Sequence, residues 1–376
     1  MKVLFLLFLC TKPLQGLELC STETENICTK SEEYDKYLNP DYPHPTPVQI
    51  DIVMRSILSI DENSQLLEMV AYSNLRWLDT RLDLNSTTKR IKLAKEDVKN
   101  LWSTSIHFSN VVTNTNRGNR VYAYKDLAGV WLEKVLLNKA VVSCRMNFSD
   151  FPFDSNVCYW KLRSFENKAT TILNISSIRQ ETKDEVIASE SQPVLVETTN
   201  LPYDIYVSPG PTGTEMVQRE ENTYVLVKFS ITRSQNGRLQ MISSYFLPTA
   251  LFAHLSLVSY LIKPEIVPGR MGMLVILFLI LVTIHGNVKG PSSRGFSYLE
   301  LWYLGMFIPV IAAIIEYACL LVALKYKNER DYDSQMVMGK MTLRKFLAHV
   351  DMAFLCCNAV FLVVYIVSYF SAVPYH

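Results

Sequence analysis

Cysteine is the residue type in this chain whose placement promises chemistry, and there are eight of them. Cys10 lies in an apolar N-terminal stretch. Cys20, Cys28, Cys144 and Cys158 lie in the polar half, and Cys319, Cys356 and Cys357 in late apolar segments. Four thiols in one oxidising compartment allow three pairings. Cys144 and Cys158 enclose Phe151-Pro152-Phe153-Asp154. A disulfide there closes a small ring, restricts the unfolded chain by about 2–4 kcal/mol in the chain-entropy view, and stiffens an aromatic-proline tip that can press on a neighbour. A plain staple for a β-sandwich is an equal reading of the loop alone. No C-x-x-C or Cys/His spacing suggests a metal site, and no nucleophile–base pair stands out. Neither an enzyme nor a cofactor is expected.

Disulfides need a secretory route, and the start supplies one. Met1-Lys2 and the run Val3–Cys10 read as a signal peptide over 1–17, too short to span a bilayer. Asn85, Asn147 and Asn174 each open an N-x-[ST] sequon, all before the first apolar span. The 376 residues suffice for two domains, and the formal net charge of +1 points away from nucleic acid.

From Thr46 to Val227 the pattern is β. Val48, Ile50 and Ile52 alternate with polar neighbours, and Leu67, Met69 and Ala71 do the same before Trp77. Turns are expected at Asp61–Ser64, Asn116–Asn119 and Ser208–Gly213, and a helix-then-linker entry ahead of the Pro-rich stretch Asn39–Pro47. This makes an all-β, immunoglobulin-like sandwich over 18–241. Ser243–Ile262, Met271–Val288, Tyr298–Leu324 and Phe346–Phe370 then each suffice to cross about 30 Å of hydrocarbon, giving a four-helix transmembrane domain over 242–371. The linker 325–345 carries Lys325, Lys327, Arg330, Lys340, Arg344 and Lys345 against three acids, which sets it inside. The sandwich and the C-terminus then lie outside, at the plasma membrane.

A cysteine-closed loop around F-P-F-D, Trp77-Leu78-Asp79-Thr80-Arg81-Leu82 in the pattern W-x-D-x-R-L, and four later spans together resemble the Cys-loop pentameric ligand-gated ion channels, from about Val48 to Tyr369. The resemblance implies a Cys144–Cys158 disulfide, and among the pairings of the four extracellular cysteines Cys20–Cys28 is then the expected second bond. It also implies a small extracellular agonist, four further subunits and a surrounding bilayer.

That family binds its agonist between subunits in a box of aromatic rings, whose faces attract an ammonium group. Registration against Trp77 and Cys158 implies Tyr72, Asn74, Phe165 and Tyr224 as ligand contacts, the last in a flexible loop. The family's W-x-P-D reads Trp102-Ser103-Thr104-Ser105 here, and its following aromatic falls at Ser109, so Phe108 substitutes only with a shift of register. Scattered sandwich aromatics are the plain alternative.

Pro268-Gly269-Arg270 resembles the P-A-R that opens the pore helix of anion-conducting members, placing Gly269 and Arg270 at a selectivity site. Glu265 offers an acidic alternative. Gly272, Ile276, Leu279 and Thr283 form one helical stripe, pore-lining by resemblance and lipid-facing by composition alone. Coupling between the two halves is expected from Asp61, Glu62, Phe153, Asp154, Arg233 and Pro291, with Arg238 competing for the role of Arg233. The reading is a channel subunit, between the zinc-activated or serotonin-type and the glycine/GABA-type branches. A non-conducting accessory subunit and a four-span adhesion or scaffold protein are the rivals.

Overall fold

The computed structural model describes residues 27–372, apart from 32, 85–89, 182–192, 197–200, 264–265, 288–296 and 334–339. The signal-peptide stretch, Cys20, Asn85, Glu265 and Pro291 therefore lie outside the described residues. The chain divides into two compact units. One holds the strands. The other gathers the long helices with the loop Met146–Asn156 and Pro202–Asp204.

The strands, in chain order, are β1 (Ile27–Thr29), β2 (Thr46–Asp61), β3 (Leu66–Asp79), β4 (Leu82–Leu84), β5 (Ile91–Lys92), β6 (Ile106–Phe108), β7 (Val111–Lys125), β8 (Val130–Ser143), β9 (Ser155–Ser164), β10 (Thr171–Gln180), β11 (Val194–Val196), β12 (Tyr203–Val217) and β13 (Glu220–Arg233). They form a six-stranded sheet, order β10-β2-β3-β8-β7-β5, a five-stranded sheet, order β11-β12-β13-β9-β6, and a small β1-β4 pair. The expected sandwich is present. Its alternation follows the sequence: Val48, Ile50, Ile52 and Met54 on β2, and Leu67, Met69 and Ala71 on β3, are fully buried.

Two local expectations change. Asp61–Ser64 is a turn, with Asp61 Oδ1 accepting from Asn63 N at 3.0 Å and Ser64 N at 3.1 Å. Asn116–Asn119, however, is a bulge inside β7, where the register shifts and Gly118 takes φ +93°. Ser208–Gly213 lies within β12 instead of turning. Among the described residues, strand β11 pairs with β12 as far as Val207, and Pro209 and Pro211 follow beyond that pairing. The real turn is Gln218-Arg219, whose φ values of 49° and 73° suit a two-residue hairpin. Residues 33–38 are turns, a bend and irregular backbone, and the rest of the stretch expected to hold the entry helix lies largely outside the described residues.

A short α1 (Lys95–Lys99) belongs to the strand unit. Among the described residues, four helices are long and apolar enough to cross a membrane: α2 (Gln235–Leu261), α3 (Val267–Asn287), α4 (Tyr298–Asp333) and α5 (Lys340–Ala372). Ser234 caps α2, its Oγ accepting from Gly237 N at 3.1 Å. Pro248 lacks the N–H that α2 needs, and the preceding turn Ile242–Phe246 opens into a π-turn. Thr249 Oγ1 donates to Tyr245 O at 2.7 Å and accepts from Trp302 Nε1 at 2.9 Å.

Candidate functional site

Within the strand unit, Asp79 is buried and receives two parallel bonds from Arg81, Nε to Oδ1 at 2.9 Å and Nη2 to Oδ2 at 2.8 Å. Tyr34 donates to the same carboxylate at 3.3 Å. Burial first, then the Asp79 charge, pushes the Tyr34 hydroxyl up to about 12. Trp77 meets Trp102 edge-on at 5.8 Å. This motif is core and registers the strands around it.

Tyr72 and Asn74 share one face of β3. With Val53, Arg90, Gly118, Arg120, Tyr122, Val135 and Leu137 they line a cleft of about 300 Å³. Asn74 is 9% exposed and its Oδ1 has no hydrogen-bond partner. Arg90 lies 3.9 Å from the centre of the Tyr122 ring and 2.6 Å from Glu133 Oε2. The bulge at Gly118 sets Arg120 and Tyr122 on the cleft face, two residues apart. Arg90, Arg120 and Tyr122 escaped sequence reasoning. The only cue was the spacing of the last two along a strand.

Phe108, Phe165 and Tyr224 belong to the five-stranded sheet and its edge, so a single chain does not bring the five expected contacts together. Phe108 stacks on buried Trp160 at 5.3 Å. Phe165 is 70% exposed. Tyr224 lies in strand β13, not in a flexible loop. Its ring passes so close to Gly213 that a Cβ there would sit 2.7 Å from the hydroxyl. Lys161 Nζ stands 4.3 Å from the Tyr224 ring centre and pairs with Glu215, which Arg163 also approaches at 3.3 Å. Burial pushes the Glu215 carboxyl up, but Lys161 and then Arg163 outweigh it and hold it below the usual carboxylate range.

The altered Trp102 segment is nonetheless tied to the Phe165 turn. Phe165 N donates to Ser105 O at 3.0 Å, and Thr104 Oγ1 donates to Glu166 Oε2 at 2.8 Å. Asn222 Nδ2 reaches the carbonyls of Ser164, Phe165 and Glu166 at 3.3, 3.4 and 3.1 Å. Lys134 Nζ donates to Thr104 O at 2.9 Å, and burial holds its ammonium below the usual lysine range. Cys144 and Cys158 are disulfide-bonded. Cys28 is also disulfide-bonded, while its expected partner lies outside the described residues. Asn147 and Asn174 are exposed.

In the helical unit, the loop between those cysteines docks on the helix starts. Ser149 O and Phe151 O accept from Tyr298 N at 3.2 Å and Leu299 N at 3.1 Å, while Ser297 and Glu300 bond reciprocally as a capping box. The Phe153 ring lies 6.1 Å from Phe246. Arg233, and not Arg238, faces Asp154, at 3.6 Å with both side chains buried. Its guanidinium also stacks 4.7 Å from the Phe151 ring centre.

Arg270 is where expectation and structure part. It is fully buried, 2.6 Å from Glu316 Oε2 and 3.0 Å from Asp351 Oδ1, with the Tyr317 ring 4.6 Å away. The charge expected at a pore mouth is spent inside the bundle, because two acids on α4 and α5 need a cation in a medium where lone charges are costly. Both acids were readable as isolated carboxylates in apolar runs. Helix α3 buries Arg270, Leu274, Leu277 and Leu281. The opposite stripe is uncovered, with Ile276 59% and Leu279 54% exposed.

The family of neurotransmitter-gated ion-channel ligand-binding domains matches residues 23–235, more than half of the chain. The chain is 25% identical over 295 residues to gamma-aminobutyric acid receptor subunit gamma-3 of Homo sapiens, covering 77% of this chain and 60% of that protein. It is 24% identical over 317 residues to the rho-2 subunit of such a receptor from Mus musculus, covering 81% and 65%. It is 23% identical over 326 residues to acetylcholine-gated chloride channel subunit acc-1 of Caenorhabditis elegans, covering 84% and 66%. The chain thus spans 60% of the gamma-3 subunit's own length and 66% of acc-1.

Proposed function

This chain belongs to the neurotransmitter-gated ion-channel family, and on that premise we propose that it is one subunit of a pentameric, extracellular-ligand-gated channel in the plasma membrane. The observation that carries the proposal is the two-faced helix α3. One side seals the subunit's own bundle through Leu274, Leu277 and Leu281. The other leaves Gly272, Ile276, Leu279 and Thr283 for a five-fold axis. Rings of Ile276 and Leu279 make an apolar constriction that empties of water and blocks ions without a plug.

Agonist enters between neighbouring sandwiches. Tyr72 and Asn74 come from one subunit, and Phe108, Phe165 and Tyr224 from the next. Its binding strains the loop Met146–Asn156, whose carbonyls hold the start of α4 and whose Phe153 rests on Phe246. The Arg233–Asp154 pair keeps that loop in register. Asp61, Glu62 and Pro291 are assigned to coupling on the family resemblance alone. The pore carries anions: Gly269 puts no acid at the helix start, and acc-1 is named a chloride channel.

A non-conducting partner subunit is the second reading, favoured by the apolar Ile276 in the stripe and by Ser103-Thr104 in the Trp102 segment. One experiment separates them. The purified chain is sized by light scattering, and the same chain expressed alone in oocytes is recorded against an agonist panel under chloride and sodium substitution. Five copies with chloride-dependent current support the channel. Surface protein without current under any agonist, or a chain that stays monomeric by itself, supports the accessory subunit.

A further inference from the structure

Phe165 joins a bare ring to a fully tied backbone. The ring is 70% exposed, although aromatic side chains are among the largest apolar surfaces a fold can bury. Its backbone is the reverse. Phe165 N donates to Ser105 O at 3.0 Å. Its own carbonyl, with those of Ser164 and Glu166, accepts from Asn222 Nδ2, at 3.4, 3.3 and 3.1 Å. One side-chain amide carries two N–H groups, so the three carbonyls share them. Asn222 is 5% exposed and reaches the turn from β13.

Glu166 ties the same turn from its other side. Its Oε2 accepts from Thr104 Oγ1 at 2.8 Å, Ser164 Oγ at 3.2 Å and Thr171 Oγ1 at 3.5 Å. All three of those residues are fully buried, where a hydroxyl needs an acceptor. One carboxylate oxygen thus gathers the end of β9, the start of β10 and the Trp102 segment. Ser164 Oγ in turn accepts from Glu166 N at 3.1 Å. From β8, Lys134 Nζ donates to Thr104 O at 2.9 Å and Ser103 Oγ at 3.2 Å, which brings a positive charge to the network.

A brace for the core needs no exposed ring. An exposed ring on a loose turn, in contrast, loses ordering entropy when anything stacks on it. We propose that Glu166 and Asn222 are positioning residues for Phe165, fixing its turn before a ligand arrives so that the ring offers a rigid stacking face. They hold it in a chain whose Trp102-Ser103-Thr104-Ser105 segment has no carboxylate of its own. The role rests on reading Phe165 as an agonist contact, but the rigidity of the turn is measured separately from that contact.

The test has two arms. In the first, deuterium uptake of the amides from Ser164 to Thr171 is followed by mass spectrometry on the purified full-length chain, beside its melting temperature. Asn222→Asp keeps the shape and removes the donor, and Glu166→Ala removes the acceptor. Each speeds uptake in this turn by about tenfold or more, while β2 and β3 and the melting temperature stay as in wild type. Glu166→Gln keeps an acceptor oxygen and exchanges as wild type, as does Lys168→Ala, an exposed side chain in the same turn. In the second arm, oocyte currents are recorded against γ-aminobutyrate and acetylcholine. Glu166→Ala and Asn222→Asp raise the half-maximal concentration about tenfold or more at unchanged maximal current per surface subunit, and Glu166→Gln restores it.

Wild-type uptake in both variants would overturn the proposal. So would faster uptake throughout the sandwich with a lower melting temperature, which would make the two residues supports of the core. The contact and its positioning fail separately. Phe165→Leu with altered sensitivity, beside Glu166→Ala and Asn222→Asp with none, sinks the positioning alone. Phe165→Leu with wild-type sensitivity sinks the contact, and the positioning role with it. A wild type silent to both probes counts against the channel, and uptake alone then decides whether the turn is pinned.

Discussion

The backbone N–H of Leu299 donates to the carbonyl of Phe151 at 3.1 Å, so the first turn of α4 is capped by the cysteine-closed loop. Helix starts carry N–H groups with no partner inside the helix. Here Ser149 O and Phe151 O satisfy two of them, while Ser297 and Glu300 bond to each other. Displacing the loop therefore uncaps the helix. That makes the loop a lever, and several outcomes follow from how it is held.

The disulfide holds its two ends. Cys144→Ser with Cys158→Ser lowers stability by about 2–4 kcal/mol, read as a lower denaturation midpoint of the purified chain. Peptide mapping without reductant should recover Cys144 and Cys158 as one cross-linked species, and free thiols at both positions would remove the lever.

The buried Arg233–Asp154 pair fixes the loop's register. Arg233→Gln and Asp154→Asn each leave a buried charge without its counter-ion, whereas the double variant leaves none. A thermal double-mutant cycle should return a coupling of about 1 kcal/mol or more. Strict additivity would mean that the contact contributes nothing.

Arg270→Met strands Glu316 and Asp351 inside the bundle. The loss should be about 3–5 kcal/mol, seen as aggregation in size exclusion and absence from the cell surface. Adding Glu316→Gln and Asp351→Asn to Arg270→Met removes the stranded charges and should recover monodisperse protein. If Arg270→Met alone behaves as wild type, the side chain is not sealed among those acids.

Glu215 gives a pH dependence with a definite sign. Its folded carboxyl is held below the ordinary glutamate value of 4.5. Its contribution is therefore complete above 4.5 and disappears as pH falls through the lower folded value. The melting difference between wild type and Glu215→Gln should be largest near neutrality and shrink below pH 4.5. A difference that grows on acidification would reverse the assignment.

Much of this architecture is legible in the residues. Alternation on β2 and β3 and four apolar runs are local signals, and both elements formed where they were read. The β12–β13 hairpin was not, because Pro209, Gly210 and Pro211 carry turn chemistry. Only the strand pairing shows that they continue β12 past its contact with β11. The cleft was half visible. Tyr72 and Asn74 follow from Trp77, but Arg90 and Arg120 meet them only once β5, β7 and β8 pair. Arg270 was legible as a charge opening a span, yet its partners come from α4 and α5. Spacing along α3 alone does not say which side holds two acids.

The account stands most directly on Leu279. Two helical turns beyond Gly272 and uncovered in the subunit, it would form the driest ring of a five-fold pore, and a hydroxyl in each copy favours wetting. The measurement is holding current, without added ligand, in cells expressing surface-labelled Leu279→Thr, with external chloride then replaced by an impermeant anion. A standing current absent from wild type, whose reversal potential follows chloride, is the predicted result. Leu279→Thr at the surface in normal amount with no standing current would mean that Leu279 faces lipid or another helix, and α3 would not line a pore.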